Sequence, residues 1–153
     1  MLRSENPESV VGRITTTDNV EEAVADTDLV IESISEDLEA KQALFEKMDQ
    51  TAPKRTLLAS NTSGLPISQL GIRARNCDRI AGAHFVQPGH IVPVVEVIRA
   101  RETSDEAMTK LCSVWERLDR LPIRVEQDIP GFLINRLQHA VIREAVDLLA
   151  SGV

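Results

Sequence analysis

The sequence predicts an α/β fold built on a mainly parallel sheet. Short apolar, β-prone runs at 29–34, 56–60, 79–85, 92–98 and 122–126 alternate with longer spans of helical apolar spacing. That alternation is the pattern of a sheet covered by helices. Several of the runs are also apolar on both faces, as buried strands are. The close spacing of 79–85 and 92–98 predicts one locally antiparallel part.

Each element carries its own local signal. Residues 1–10 are expected to fray, and 13–17 is a short β-prone run. Asp18 or Asn19 caps a helix through about Asp26, with Glu21 and Glu22 favourable in its first turn. After strand 29–34 comes a helix over 36–49, whose stripe is Leu38, Leu44, Phe45 and Met48. Pro53 marks its exit. Strand 56–60 runs into the polar turn Asn61-Thr62-Ser63-Gly64 and a short helix at 66–70. Thr103 and Glu106 form a capping box for a helix over about 104–119. Strand 122–126 follows, and Pro130-Gly131 breaks the chain before a helix to about Ala150. On that helix Ile134, Leu137, Val141, Ala145 and Leu148 recur at helical spacing.

Bulk properties narrow the function. With 153 residues and 42% hydrophobic content, the chain can bury a core as one ordinary domain. A net charge of −7 argues against nucleic acid or an anionic membrane as partner. Cys77 and Cys112 have no metal-ligand spacing and read as reduced bystander thiols, which suits a cytoplasm. The first ten residues have no apolar core, so no secretory leader is expected there.

The most informative residues are two ionisable groups inside apolar runs. His84 ends the run Ile80-Ala81-Gly82-Ala83-His84-Phe85. Glu96 is the only carboxylate in Ile91-Val92-Pro93-Val94-Val95-Glu96-Val97-Ile98. A carboxylate in a buried strand needs a partner, because its desolvation costs several kcal/mol. His84 is the best candidate among the three histidines, and a carboxylate-oriented histidine moves protons near neutral pH. In open α/β sheets, sites form beyond the carboxyl ends of the strands. His84, the 61–63 turn and the turn at 35–36 all fall there.

Plainer readings stand beside these. Glu96 can pair with Arg99 or Arg101, although strand alternation puts Arg99 on the opposite face. Ser63 can cap the helix near Pro66, Asn135 can be a surface amide, and Lys41 can lie on the solvated face of its helix. His90 and His139 have no carboxylate at useful spacing and receive no role. Trp115, on a helix with Leu111 and Leu118, reads as core.

With those motifs placed, the chain resembles the L-3-hydroxyacyl-CoA dehydrogenase family. The resemblance rests on Asp28-Leu29-Val30-Ile31-Glu32 with Glu36-Asp37-Leu38-Glu39-Ala40-Lys41, and on Ala59-Ser60-Asn61-Thr62-Ser63. It continues through His84-Phe85 with Pro88, Val95-Glu96-Val97-Ile98, and Pro130-Gly131-Phe132 leading to Asn135-Arg136-Leu137. Asn135-Arg136-Leu137-Gln138 with Arg143-Glu144-Ala145 is most similar to the branch of lambda-crystallin-like and carnitine-type dehydrogenases.

The resemblance implies NAD-dependent oxidation of a 3-hydroxyacyl-CoA, or a related 3-hydroxy acid, to the 3-oxo product. His84 would be the base, Glu96 its orienting carboxylate, and Ser63 and Asn135 hydrogen-bonding groups at the reacting oxygen. Glu36, Lys41 and Asn61 would contact the cofactor. It further implies a homo-oligomer with a small-molecule substrate.

The implied fold is a partial Rossmann-type, doubly wound sheet lacking the N-terminal glycine-loop βαβ unit. The first helix of an all-α C-terminal domain follows, with 1–128 as the partial dinucleotide-binding domain and 129–153 as the start of the helical one. Two departures from the family pattern stand out. Gln87 replaces the asparagine before Pro88, and none of the seven glycines forms Gly-x-Gly-x-x-Gly. The second departure raises an alternative expectation, a truncated and inactive remnant or interaction module. A chain completed in trans by a glycine-loop partner is a third.

Overall fold

The computed structural model describes residues 6–153. A five-stranded sheet runs in the order β1 (Leu29–Glu32), β2 (Leu57–Ser60), β3 (Ile80–Phe85), β4 (Val94–Arg99), β5 (Leu121–Val125). β1, β2 and β3 are parallel, β3 and β4 antiparallel, and β4 and β5 parallel again. Both the parallel sheet and its antiparallel part follow the sequence expectation.

The helices are α1 (Pro7–Val11), α2 (Val20–Val24), α3 (Leu38–Thr51), α4 (Ile67–Leu70), α5 (Asp105–Arg117) and α6 (Ile134–Ala150). One core holds Phe45, Met48, Leu58, Ile67, Leu70, Ile80, Ile98 and Phe132, between the sheet and α3, α4 and the turn into α6. The other holds Leu57, Ala81, Val95, Val97, Met108, Leu111 and Trp115, against α5. The sheet is therefore apolar on both faces, which is why its central strands show no polar alternation. Trp115 is core, edge-on to Phe85 at 5.2 Å between ring centroids.

Several local expectations need correction. Residues 7–11 form α1 instead of fraying, with the Asn6 side chain accepting from Glu8 N–H; residues 1–5 lie outside the described residues. The run 13–17 forms no strand. There the Thr17 hydroxyl accepts from Asn19 N–H and donates to Glu22, so it builds the entry to α2. Asn19, the second of the two predicted caps, accepts from Glu22 N–H.

α3 starts at Leu38, because Asp37 takes the cap position and accepts from Ala40 N–H at 2.8 Å. The capping box at Thr103 and Glu106 does not form. Ser104 caps α5 through Ala107 N–H, while buried Thr103 donates to Ile80 C=O and accepts from Ala100 N–H. Ser63 does not cap α4. Asp128, distant in sequence, accepts from Ile67 and Ser68 N–H at 2.9 and 2.6 Å. Among the described residues no helix is long and apolar enough to cross a membrane.

Candidate functional site

Register brings the two ionisable strand residues together. His84 on β3 lies directly opposite Glu96 on β4. Both side chains point to the face that carries Ile98, and Gly82 opposite Ile98 leaves that strand pair room. His84 Nδ1 meets Glu96 Oε2 at 2.7 Å. Glu96 is fully buried, and its other oxygen accepts from both Leu133 and Ile134 N–H at 2.9 Å. Burial alone pushes the Glu96 carboxyl up. The hydrogen bonds from His84, Ile134 and Leu133 outweigh it and hold the group below the usual glutamate range. Arg99, on the opposite face, pairs with Glu126 and Asp105 and leaves Glu96 alone.

Phe132 packs against the imidazole, with ring centroids 5.7 Å apart, and is fully buried. It sits at φ +48 directly after Gly131 at φ +76. Two successive left-handed residues turn the chain sharply into α6, which explains the need for glycine at the first of them.

The second half of the site is the turn after β2. Asn61 accepts from Phe85 N–H at 3.0 Å and donates to the Ser33 hydroxyl at 3.3 Å, so it ties the ends of β1 and β3 to its own turn. Glu36 accepts from the Thr62 hydroxyl and from Ser63 N–H. Burial raises the Glu36 pKa, and the bonds from Thr62, Lys41 and Ser63 more than reverse that. Asn135 Nδ2 donates to Ser63 C=O at 2.7 Å, fastening the start of α6 to the same turn.

A cleft of 590 Å³ opens over these groups, lined by Asn61, Ser63, His84, Phe85, Gln87, Ile134, Asn135, Leu137 and Val141. Four of the seven site residues read from the sequence share this one cavity: Asn61, Ser63, His84 and Asn135. Glu96 lies behind His84, and Glu36 lies behind the turn with half of its side chain exposed.

Lys41 is not on a solvated face. It is 1% exposed, and Nζ bonds Glu32 at 2.5 Å, Ile34 C=O at 3.3 Å and Glu36 at 3.3 Å. Those three contacts use all three ammonium donors. In the structure it bridges Glu32 and Glu36. Glu32, missed in the sequence, completes the network by accepting from Ser60 Oγ at 2.5 Å and Ile34 N–H at 2.7 Å. The signal was present as a carboxylate ending an apolar strand, the same anomaly that marked Glu96. His139, given no role, lines a neighbouring cavity with Arg136 and Arg143.

Residues 1–129 match the family model described as 3-hydroxyacyl-CoA dehydrogenase, NAD binding domain. A probable 3-hydroxybutyryl-CoA dehydrogenase of Bacillus subtilis is 37% identical over 145 residues, 95% of this chain and 50% of that protein. A 5-formyl-3-hydroxy-2-methylpyridine 4-carboxylate 5-dehydrogenase of Mesorhizobium japonicum is 36% identical over 96% of this chain and 48% of its own length. The crystal structure of 3-hydroxybutyryl-CoA dehydrogenase from Escherichia coli superposes with a TM-score of 0.90 at 34% identity, covering 95% of this chain and 30% of that one. The chain spans about half the length of the curated relatives it matches.

Proposed function

This chain belongs to the 3-hydroxyacyl-CoA dehydrogenase family, and from that premise we propose that it carries the proton-handling half of an NAD-dependent dehydrogenase. The substrate is a 3-hydroxyacyl-CoA or a related hydroxy acid, oxidised at its secondary alcohol. The observation that carries the reading is the His84–Glu96 pair at the wall of the cleft.

NAD is the family's cofactor, and the donor set here suits its nicotinamide end. Asn61 and Ser63 face the cleft at the carboxyl edge of the parallel strands, where dinucleotides bind. Glu36, fixed by Lys41, lies beside them. No Gly-x-Gly-x-x-Gly is present to cradle a pyrophosphate. Bound NAD supplies the hydride acceptor.

The chain's own residues do the rest. Glu96 occupies His84 Nδ1 and leaves Nε2 for the cleft, so Nε2 takes the hydroxyl proton as the carbinol hydrogen departs. The buried carboxylate then stabilises the imidazolium that forms. Ser63 and Asn135, adjacent through the bond from Asn135 to Ser63 C=O, donate to the reacting oxygen. Phe132, packed on the imidazole, keeps water from that side of the ring. In this reading residues 129–153 begin a helical domain that closes the cleft, and the assembly is a cytoplasmic homo-oligomer.

Titrating the 153-residue chain with NADH and following nicotinamide fluorescence tests the cofactor reading. Saturable binding is expected. No binding at millimolar NADH would assign the chain to the alternative, a non-catalytic module. With NAD and 3-hydroxybutyryl-CoA, the His84→Ala protein is expected to lose turnover; full turnover would refute the base assignment.

A further inference from the structure

Beside the catalytic cleft lies a second cavity of 370 Å³, lined by Ser63, Gly64, Gly131, Arg136, His139 and Arg143 among others. It shares Ser63 and Asn135 with the first. Arg136, His139 and Arg143 stand at i, i+3 and i+7 of α6, so they form one helix face. Ile134, Leu137 and Val141 line the first cleft from the adjoining face. The helix therefore presents an uncharged, mostly apolar side to one cavity and a cationic side to the other.

Three features make the second cavity receptive to an anion. It is cationic in a chain of net charge −7, and no carboxylate lines it. Among the described residues, no ion pair forms at Arg136, His139 or Arg143, and Glu144 and Asp147 on the same helix leave them unpaired. Guanidinium groups with free donors match carboxylate and phosphate oxygens in pairs. Gly64 and Gly131 also leave the backbone bare along the lining of the cavity, beside the first turn of α6.

We propose that this cavity is an anion subsite holding the charged group of the substrate whose alcohol occupies the first cleft, with Arg136 and Arg143 as its specificity-determining residues. The proposal rests on reading that cleft as the alcohol site. Because Ser63 and Asn135 border both cavities, the anion lies close to the reacting carbon. That favours a carboxylate on a short hydroxy acid over phosphates at the far end of a CoA arm.

The test uses the whole chain and backbone amide NMR shifts. Titration with 3-hydroxybutyrate is expected to move Gly131, Asn135 and Arg136 saturably, more weakly as salt rises. In the Arg136→Gln/Arg143→Gln protein, affinity should fall about tenfold or more, the scale of one lost charge-assisted contact. The uncharged alcohol butan-2-ol should bind both proteins alike. A Lys54→Gln/Arg117→Gln protein, equal in charge but altered elsewhere, should match the parent chain.

Equal affinity for 3-hydroxybutyrate in parent and Arg136→Gln/Arg143→Gln proteins, or an equal loss in the Lys54→Gln/Arg117→Gln control, would overturn the proposal, unless coenzyme A alone shows the arginine-dependent loss. That last result would keep the subsite and assign it to phosphate. NADH titration separates the two readings. Arginine-dependent anion binding without NADH binding would fail the dehydrogenase reading alone, and NADH binding without it would fail the subsite alone.

Discussion

At the residue scale the site depends on a carboxylate that strand burial would neutralise if it stood alone. Glu96 is held below the ordinary glutamate range even though burial pushes it the other way. A depressed folded pKa contributes stability that is full above the unfolded value and is lost as pH falls through the folded one. Urea midpoints measured from neutral to acid pH should therefore drop on the acid side, and Glu96→Gln should flatten part of that drop. Glu36 and Asp49, both also held low, contribute to the rest. Burial pushes Asp49 up, and its bonds from Arg79, Asn76 and Arg75 bring it lower than it began. An unchanged profile in Glu96→Gln would refute the assignment. Gly82 is the second residue-scale constraint. A Cβ there would stand 2.7 Å from Ile98 Cδ1 and 2.8 Å from Ile98 Cβ. Gly82→Ala should cost about 1–3 kcal/mol by overpacking, read from urea unfolding. Adding Ile98→Val should not restore it, because the Cβ contact remains. His84 and Glu96 were legible in the sequence because an ionisable group in an apolar run is conspicuous. The second partners of Glu96, the Leu133 and Ile134 amides, were not, since any residue type supplies an N–H.

The elements were legible where local signals act alone and misread where tertiary bonds compete. Asn19 and the stripe of α3 follow from capping and periodicity. Thr103 and Ser63 looked like caps, but Thr103, in the turn after β4, is engaged by Ile80 C=O at the start of β3, and the α4 cap comes from Asp128, some sixty positions away. Lys41 shows the same limit. An exposed helix position and a buried one read alike when the buried lysine meets a carboxylate on another element. That carboxylate, Glu32, ends β1. Lys41→Met should leave it buried without its countercharge, at a cost of about 3–5 kcal/mol. Combining Lys41→Met with Glu32→Gln should recover much of that loss. A double-mutant cycle in urea measures the coupling, and additive losses would mean that the pair carries no special weight.

For the whole molecule, the sheet buries both faces, whereas α6 buries no residue along its length. Leu137, Val141, Ile142, Val146 and Leu149 are each at least half exposed. An apolar surface of this kind drives association. Light scattering should give a mass above the monomer that rises with concentration, and Val141→Lys with Leu149→Lys should return it to the monomer. A monomer at all concentrations would refute the expectation. The helix was legible from its spacing. One consequence follows from the way Glu96 is shared. The carboxylate that meets His84 also grips the first amides of a 17-residue helix. The histidine ring is thus a built-in gauge. Its proton NMR signal should shift whenever the helix swings away, so one imidazole line can report the seating of an entire structural arm without any label being added.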